Sequence, residues 1–240
     1  VSCCLPSAYQ PERIYLGVTH SVAAAQTAIR SGINEGRFLV NYIGHAGTSQ
    51  WAGYDEQLFQ NSDVPLLSNA GRYPVVLAMT CWEGYYINPQ AQGGNYDALA
   101  EVLTKAQGKG AVASWSPTGV GVATGHDYLN RGFFNATFKS MVATIGQATI
   151  AGKLDLWASG TYLDLIDTYL LFGDPALLFS PRFIALDDGY QDQEDQVLIV
   201  STGEGVLSND LHPQQVALSA VLVDDVTHGV LALDQDGSFT

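Results

Sequence analysis

Two side chains in this sequence have the chemistry of a nucleophile and its proton-transfer partner, Cys81 and His45. Of the three cysteines, Cys3 and Cys4 are adjacent, a spacing too strained for an ordinary bridge, and no even, spaced set suggests a disulfide framework. Cys81 stands alone. A thiol attacks as its thiolate, which a nearby imidazole can hold before passing a proton to the leaving amine. The oxyanion that develops needs N–H donors. Gly44, Ala46 and Gly47 around the histidine, and Gly84 after the cysteine, are small enough to let backbone amides approach a substrate. The N–H groups of Ala46 and Cys81 are the expected donors. Each residue also has an ordinary reading: a lone cysteine after an apolar run is commonly a small buried hydrophobe, and a histidine among glycines is commonly a turn residue. From spacing alone the two readings stand level.

The elements that must position the pair are legible as runs and periods. Residues 38–43 and 74–79 are short apolar runs rich in β-formers, ending at Gly44-His45 and at Thr80-Cys81. Both lack polar alternation, as buried strands of a largely parallel sheet do. In such sheets the strand carboxyl ends line the ligand crevice, and the 36 residues between His45 and Cys81 leave room for one crossover. Helices are expected over 21–34, capped by Ser21, and over 95–107, 126–144 and 146–159, with a third strand over 111–115 and a turn and last strand within 170–179. Strands alternating with helices predict a layered α/β domain.

Other residues near the pair are weighed the same way. Trp115 and Ser116 end the third strand, and Trp82 and Glu83 follow the cysteine, so these four are the candidates to line a substrate crevice. Core packing is an equal reading of Trp115. Glu83 and Asp127 are candidates to orient His45, against a default as surface carboxylates. Residues 119–125, Gly-Val-Gly-Val-Ala-Thr-Gly, follow a strand and precede a helix, but no acidic residue closes a later strand, so a loop beside the site is preferred to a dinucleotide site. His20, His126, His212 and His228 show no metal-ligand spacing, and no zinc is expected.

Composition bounds the rest. Of 240 residues 47% are hydrophobic and 14% charged, enough for a sizeable core. No run of 18 apolar residues suggests a membrane span. The net charge of −14 disfavours a nucleic-acid partner. That charge is uneven: residues 1–181 hold 13 acidic and 9 basic side chains, residues 182–240 hold 11 and 1. Short β-prone runs at 197–200, 216–223 and 230–233 suggest a second, all-β module over 182–240, cut before completion. The chain opens without Met and without a basic-then-apolar leader, and is read as part of a longer protein.

Several segments then resemble a known family. Asn41-Tyr42-Ile43-Gly44-His45-Ala46-Gly47 with Trp51, and the stretch from Leu66 through Met79-Thr80-Cys81-Trp82-Glu83-Gly84 to Tyr86, are similar to the histidine and nucleophile segments of the gingipain-like cysteine peptidases. Leu99-Ala100-Glu101, Gly110-Ala111-Val112-Ala113 and Phe172-Gly173-Asp174-Pro175-Ala176 continue the match in order, so it covers residues 12–180. The resemblance implies a caspase-like three-layer α/β domain over residues 1–181, a Cys81–His45 dyad and no metal in the chemistry. Ala46 departs from the glycine many members carry there, a change that keeps the N–H, and an upstream portion of the family's domain is expected to be missing. Residues 205–210, 228–231 and 236–240 resemble bacterial cadherin-like repeats, in which Asp234-Gln235-Asp236-Gly237 is a weak signal for structural calcium against a solvated acidic turn. Together these imply a secreted or cell-surface bacterial endopeptidase acting on protein or peptide substrates. The alternatives are a non-catalytic adhesion scaffold and a self-processing peptidase.

Overall fold

A computed structural model describes residues 5, 9–53, 56–89, 97–179, 185–191, 196–210 and 217–240. The chain divides into two compact units, Val1–Phe179 and Ser180–Thr240. The first is built on a sheet of β1 (Leu39–Ile43), β5 (Val75–Met79), β6 (Ala113–Pro117) and β7 (Tyr169–Phe172), in that order. β1, β5 and β6 run parallel, and β7 closes the sheet antiparallel. β5 is buried along its whole length, which explains its unbroken apolar run.

Alternate residues of β5 enter two cores. Val75, Leu77 and Met79 pack with Trp115 and Phe133 under α3 (Ala123–Phe138) and α4 (Ile145–Ser159). Val76 packs on the other face with Ile33 of α1 (Val22–Glu35) and Leu99 and Leu103 of α2 (Leu99–Lys105). The result is the three-layer α/β arrangement expected. α3 and α4 approach closely at two glycines: a Cβ on Gly132 would lie 2.7 Å from the Ala151 carbonyl, and one on Gly152 would lie 2.7 Å from the Leu129 carbonyl.

Local signals explain most element ends. Ser21 accepts a hydrogen bond from the Ala24 N–H, and Gly36, at φ 87°, turns its N–H back to Gly32 and Ile33. The helix expected over 126–144 instead begins at Ala123 and ends at Phe138, with Met141 left-handed at φ 56°. Thr144 then opens α4 with a reciprocal cap, its hydroxyl on the Gln147 N–H and the Gln147 amide oxygen on the Thr144 N–H. The third strand lies two residues later than expected because Ala111 donates to the Leu103 carbonyl and closes α2. α2 begins at Leu99; residues 95 and 96 of the expected helix lie outside the described residues. Periodicity did not anticipate α5 (Asp164–Thr168) or the small antiparallel sheet of β2 (Ala46–Gly47), β3 (Gln50–Trp51) and β4 (Phe59–Gln60).

In the second unit the all-β module expected over residues 182–240 is not confirmed. Its described residues form isolated bridges, Val200 to Phe239 and Leu233 to Phe239, and no strand ladder. Ile199, Val221, Val223 and Val230 stand between 74% and 92% exposed, so the apolar runs have no partner face. Paired strands without such a face are marginal in water. Asp236 accepts hydrogen bonds from the Thr202 hydroxyl and from the Ser238 hydroxyl and N–H, which hold its carboxyl below the usual range. Cys3, Cys4 and His212 lie outside the described residues. Among the described residues no helix is long and apolar enough to cross a membrane.

Candidate active site

The site is set by strand register. β1 and β5 pair Leu39 with Val75 through Ile43 with Met79, and the Gly44 N–H continues the ladder to the Met79 carbonyl at 3.3 Å. His45 and Cys81 therefore occupy equivalent places, two residues beyond the last pair, at the same end of neighbouring strands. The separation of 36 residues is the register offset itself. His45 is exposed and Cys81 is half-buried.

The histidine loop is held from behind by Tyr42. Its hydroxyl donates to the His45 carbonyl at 2.5 Å and accepts from the Ala52 N–H at 2.9 Å, and its ring stacks on Trp51 at 4.7 Å. Gly44 is required here, because a Cβ would lie 2.7 Å from that hydroxyl. The Ala52 N–H also reaches the His45 carbonyl at 2.7 Å, so His45 turns its backbone toward β3. Alternation along the hairpin then turns the Ala46 N–H away from β3, although Ala46 sits opposite Trp51.

The Cys81 turn is pinned on two sides. Trp82, left-handed at φ 62°, donates its N–H to the Gly119 carbonyl, and Gly84 donates to the Pro117 carbonyl at 2.8 Å. A Cβ on Gly84 would lie 2.8 Å from the Phe172 ring. At the start of α2, the Leu99 N–H meets the Thr48 carbonyl and the Ala100 N–H meets the Glu83 carbonyl, tying the His45 hairpin and the Cys81 turn to one helix end. The Cys81 sulfur accepts the Gly121 N–H at 3.3 Å and lies 3.6 Å from the Gly121 carbonyl. Gly121 in turn is packed against His126, whose Nε2 would lie 2.1 Å from any Cβ there. Among the described residues, neither the Ala46 N–H, which alternation turns away from β3, nor the Cys81 N–H donates to another backbone carbonyl, a condition that any donor to a substrate oxygen must meet.

Burial sets the electrostatics behind the turn. His126 is buried with Nε2 unpartnered, and burial lowers its pKa to about 4, so it is a neutral packing group at neutral pH. Burial holds the Tyr169 phenol well above its ordinary value, and the Tyr169 hydroxyl donates to the Ala78 carbonyl at 3.0 Å. Glu83 is 0% exposed, and burial pushes its carboxyl up to about 7 from 4.5, opposed by the Ser116 hydroxyl and the Trp51 indole N–H. Those two donors face the carboxyl, yet neither oxygen has a hydrogen bond of good geometry.

The folded state holds the Glu83 proton more tightly than the unfolded chain does. Its stabilising contribution is therefore complete below about pH 4.5 and is lost as pH rises to about 7. Glutamine has no such dependence. The stability of wild type relative to Glu83→Gln should fall by on the order of 3 kcal/mol between pH 4.5 and 7.5, at about 1.4 kcal/mol per pH unit, as read by denaturant unfolding. A difference that does not change with pH would refute the burial argument.

The structure corrects three of the crevice candidates. Trp115 is 0% exposed, with its ring against Phe133 at 5.7 Å and Tyr169 at 5.4 Å, so it is a core residue. Ser116 is 0% exposed, its hydroxyl 2.8 Å from that of Ser114, because alternate residues of β6 share one face, opposite to that of Trp115. Glu83 lines no open surface and is not the surface carboxylate expected by default. Trp82 stays 36% exposed beside Cys81, and Asp127 is exposed on α3. The loop expected over 119–125 does lie beside the thiol, through Gly121. Tyr42 and Trp51 went unrecognised as supports of the histidine loop; their sequence signal was an aromatic on each side of Gly44-His45-Ala46-Gly47.

Comparison with known proteins gives one family: the sequence matches Peptidase family C25 over residues 1–180. Two similar structures are the Arg-specific cysteine proteinase gingipain R and the complex of Porphyromonas gingivalis RgpB pro- and mature domains. Each is 26% identical with a TM-score of 0.54 and matches 64% of this chain. The chain spans 36% and 37% of those two chains, about a third of their length. A third, a structure described as a protease, is 19% identical over 70% of this chain and 42% of its own, with a TM-score of 0.56, and supports the fold alone. No curated protein matches the sequence.

Proposed function

The chain belongs to peptidase family C25, and from that premise we propose that it is a cysteine endopeptidase with Cys81 as nucleophile and His45 as proton-transfer partner. The observation that supports the reading is the common offset of 36 residues, by which His45 and Cys81 each follow the last paired residue of neighbouring parallel strands by two positions. In this mechanism the Cys81 thiolate attacks the scissile carbonyl carbon. The Ala46 and Cys81 amides stabilise the oxyanion. The His45 imidazolium protonates the leaving amine as the C–N bond breaks, leaving a thioester at Cys81. His45 then takes a proton from water, which attacks the thioester, and the acid product leaves with the thiol restored. The Gly121 N–H holds the sulfur before substrate arrives. No cofactor takes part. An exported setting, and a cadherin-like repeat beginning in residues 182–240, belong to the same reading and rest on sequence resemblance.

The test is covalent capture. A peptidyl chloromethyl ketone should alkylate Cys81 selectively, read by the mass of the Cys81 peptide, and His45→Ala should slow that labelling by about 10²- to 10⁴-fold. Labelling no faster than that of a simple alkyl chloride would reject the dyad and leave the α/β unit as a scaffold.

A further inference from the structure

Glu83 is the only wholly buried carboxylate among the described residues, and it sits two residues from the nucleophile. The other buried acid, Asp63, has a cation in Arg30 at 2.8 Å; Glu83 has none. Its surroundings join three elements. Trp51 belongs to the hairpin that follows His45, lies opposite Ala46 and stacks on the Tyr42 ring whose hydroxyl holds the His45 carbonyl. Ser116 belongs to β6. The Trp51 indole N–H and both Glu83 oxygens are buried without a well-formed partner.

We propose that Glu83 is a positioning residue, whose carboxyl group joins the Cys81 turn to the His45 hairpin through the Trp51 indole N–H and to β6 through the Ser116 hydroxyl. The inference rests on the peptidase reading of Cys81 and His45. A protonated carboxyl suits this place: it can accept from the indole N–H and, unlike a carboxylate, can either accept from or donate to the Ser116 hydroxyl, which already shares a hydrogen bond with Ser114. Its neighbours are Trp51 and Ser116, and the Tyr169 phenol lies within electrostatic range of both Glu83 and Cys81; none of these is a cation. Ionised, Glu83 would place an unpaired charge in this wall and a second negative charge near a Cys81 thiolate. Either effect loosens the turn from the hairpin. Burial already raises the carboxyl far enough to keep much of it protonated near neutral pH.

The test uses the 240-residue chain as wild type, Glu83→Gln and Glu83→Ala. For the wild type, kcat/KM should decline with an apparent pKa near 7 as pH rises, and Glu83→Gln should move that decline up by about one pH unit or more. Glu83→Ala should lower kcat about tenfold with KM nearly unchanged, and Glu83→Gln should recover most of it. Identical pH profiles for wild type and Glu83→Gln, or full kcat in Glu83→Ala, would overturn the proposal. Alkylation of Cys81 by iodoacetamide, followed on the Cys81 peptide from pH 5 to 9, decides the matter without hydrolysis. Its profile should differ between wild type and Glu83→Gln, and coincidence would again overturn the role. Absence of hydrolysis in the wild type would fail the peptidase reading separately. If Glu83→Ala does not fold, the two remaining proteins still decide.

Discussion

Replacing Cys81 by alanine should lower kcat/KM for peptide hydrolysis by about 10⁴-fold or more, because an attacking nucleophile acts as a unit with its base and has no substitute. The fold should be nearly unaffected. Cys81 is half-buried and, among the described residues, its sulfur hydrogen-bonds only the Gly121 backbone, so the substitution removes a weak sulfur contact worth less than about 1 kcal/mol. Cys81→Ser should be nearly as inactive as the alanine variant, since a hydroxyl is far less ionised than a thiol beside the same imidazole. Hydrolysis and unfolding, measured on the same preparations, separate a lost nucleophile from a lost fold. Retained hydrolysis in Cys81→Ala would remove this residue from the chemistry. If the wild type cleaves only its own parent chain, products should form at a rate independent of protein concentration and vanish in the same variant.

The second large effect is on stability. Trp115→Ala should destabilise the first unit by about 3–5 kcal/mol, the usual cost of emptying a large aromatic site in a core. Its ring lies between Phe133 and Tyr169, and a Cβ on Gly152 would come within 2.5 Å of its edge, so α4 rests directly on it. α3 and α4 meet backbone to backbone at Gly132 and Gly152 and have little freedom to close over the void. In a unit of this size the unfolding midpoint should drop by roughly 6–20 °C, with KM in the surviving folded protein little changed. A raised KM with unchanged stability would instead restore Trp115 to the substrate crevice that its place at the end of the third strand suggested.

The sequence by itself determined the parts governed by local rules. Unbroken apolar runs marked β1 and β5, Ser21 and Gly36 bounded α1, and strand ends named His45 and Cys81 as a pair. These depend on residues a few positions apart and on the tendency of buried parallel strands to lack alternation. The spacing between the two residues equals the offset of the two strands, although no local pattern says that those strands are neighbours.

What only the tertiary structure decided depends on neighbours distant in the chain. Trp115 was open to either reading because a strand-end aromatic has the same local pattern whether α4 covers it or solvent does. Glu83 looked like a surface acid because nothing near it in sequence shows that Trp51 and Ser116 enclose it. The part of residue 121 became visible only when Cys81, forty positions earlier, met its N–H, with His126 filling the space behind. The β-prone runs of residues 197–233 show the converse. Their local pattern favours strands, but a ladder needs a partner edge and a face to bury, and most of their large apolar side chains, Ile199, Val221, Val223 and Val230 among them, stay exposed while the described residues make only isolated bridges. Local pattern names the residues able to react; enclosure by distant elements decides which are charged, which are buried and which can reach a substrate.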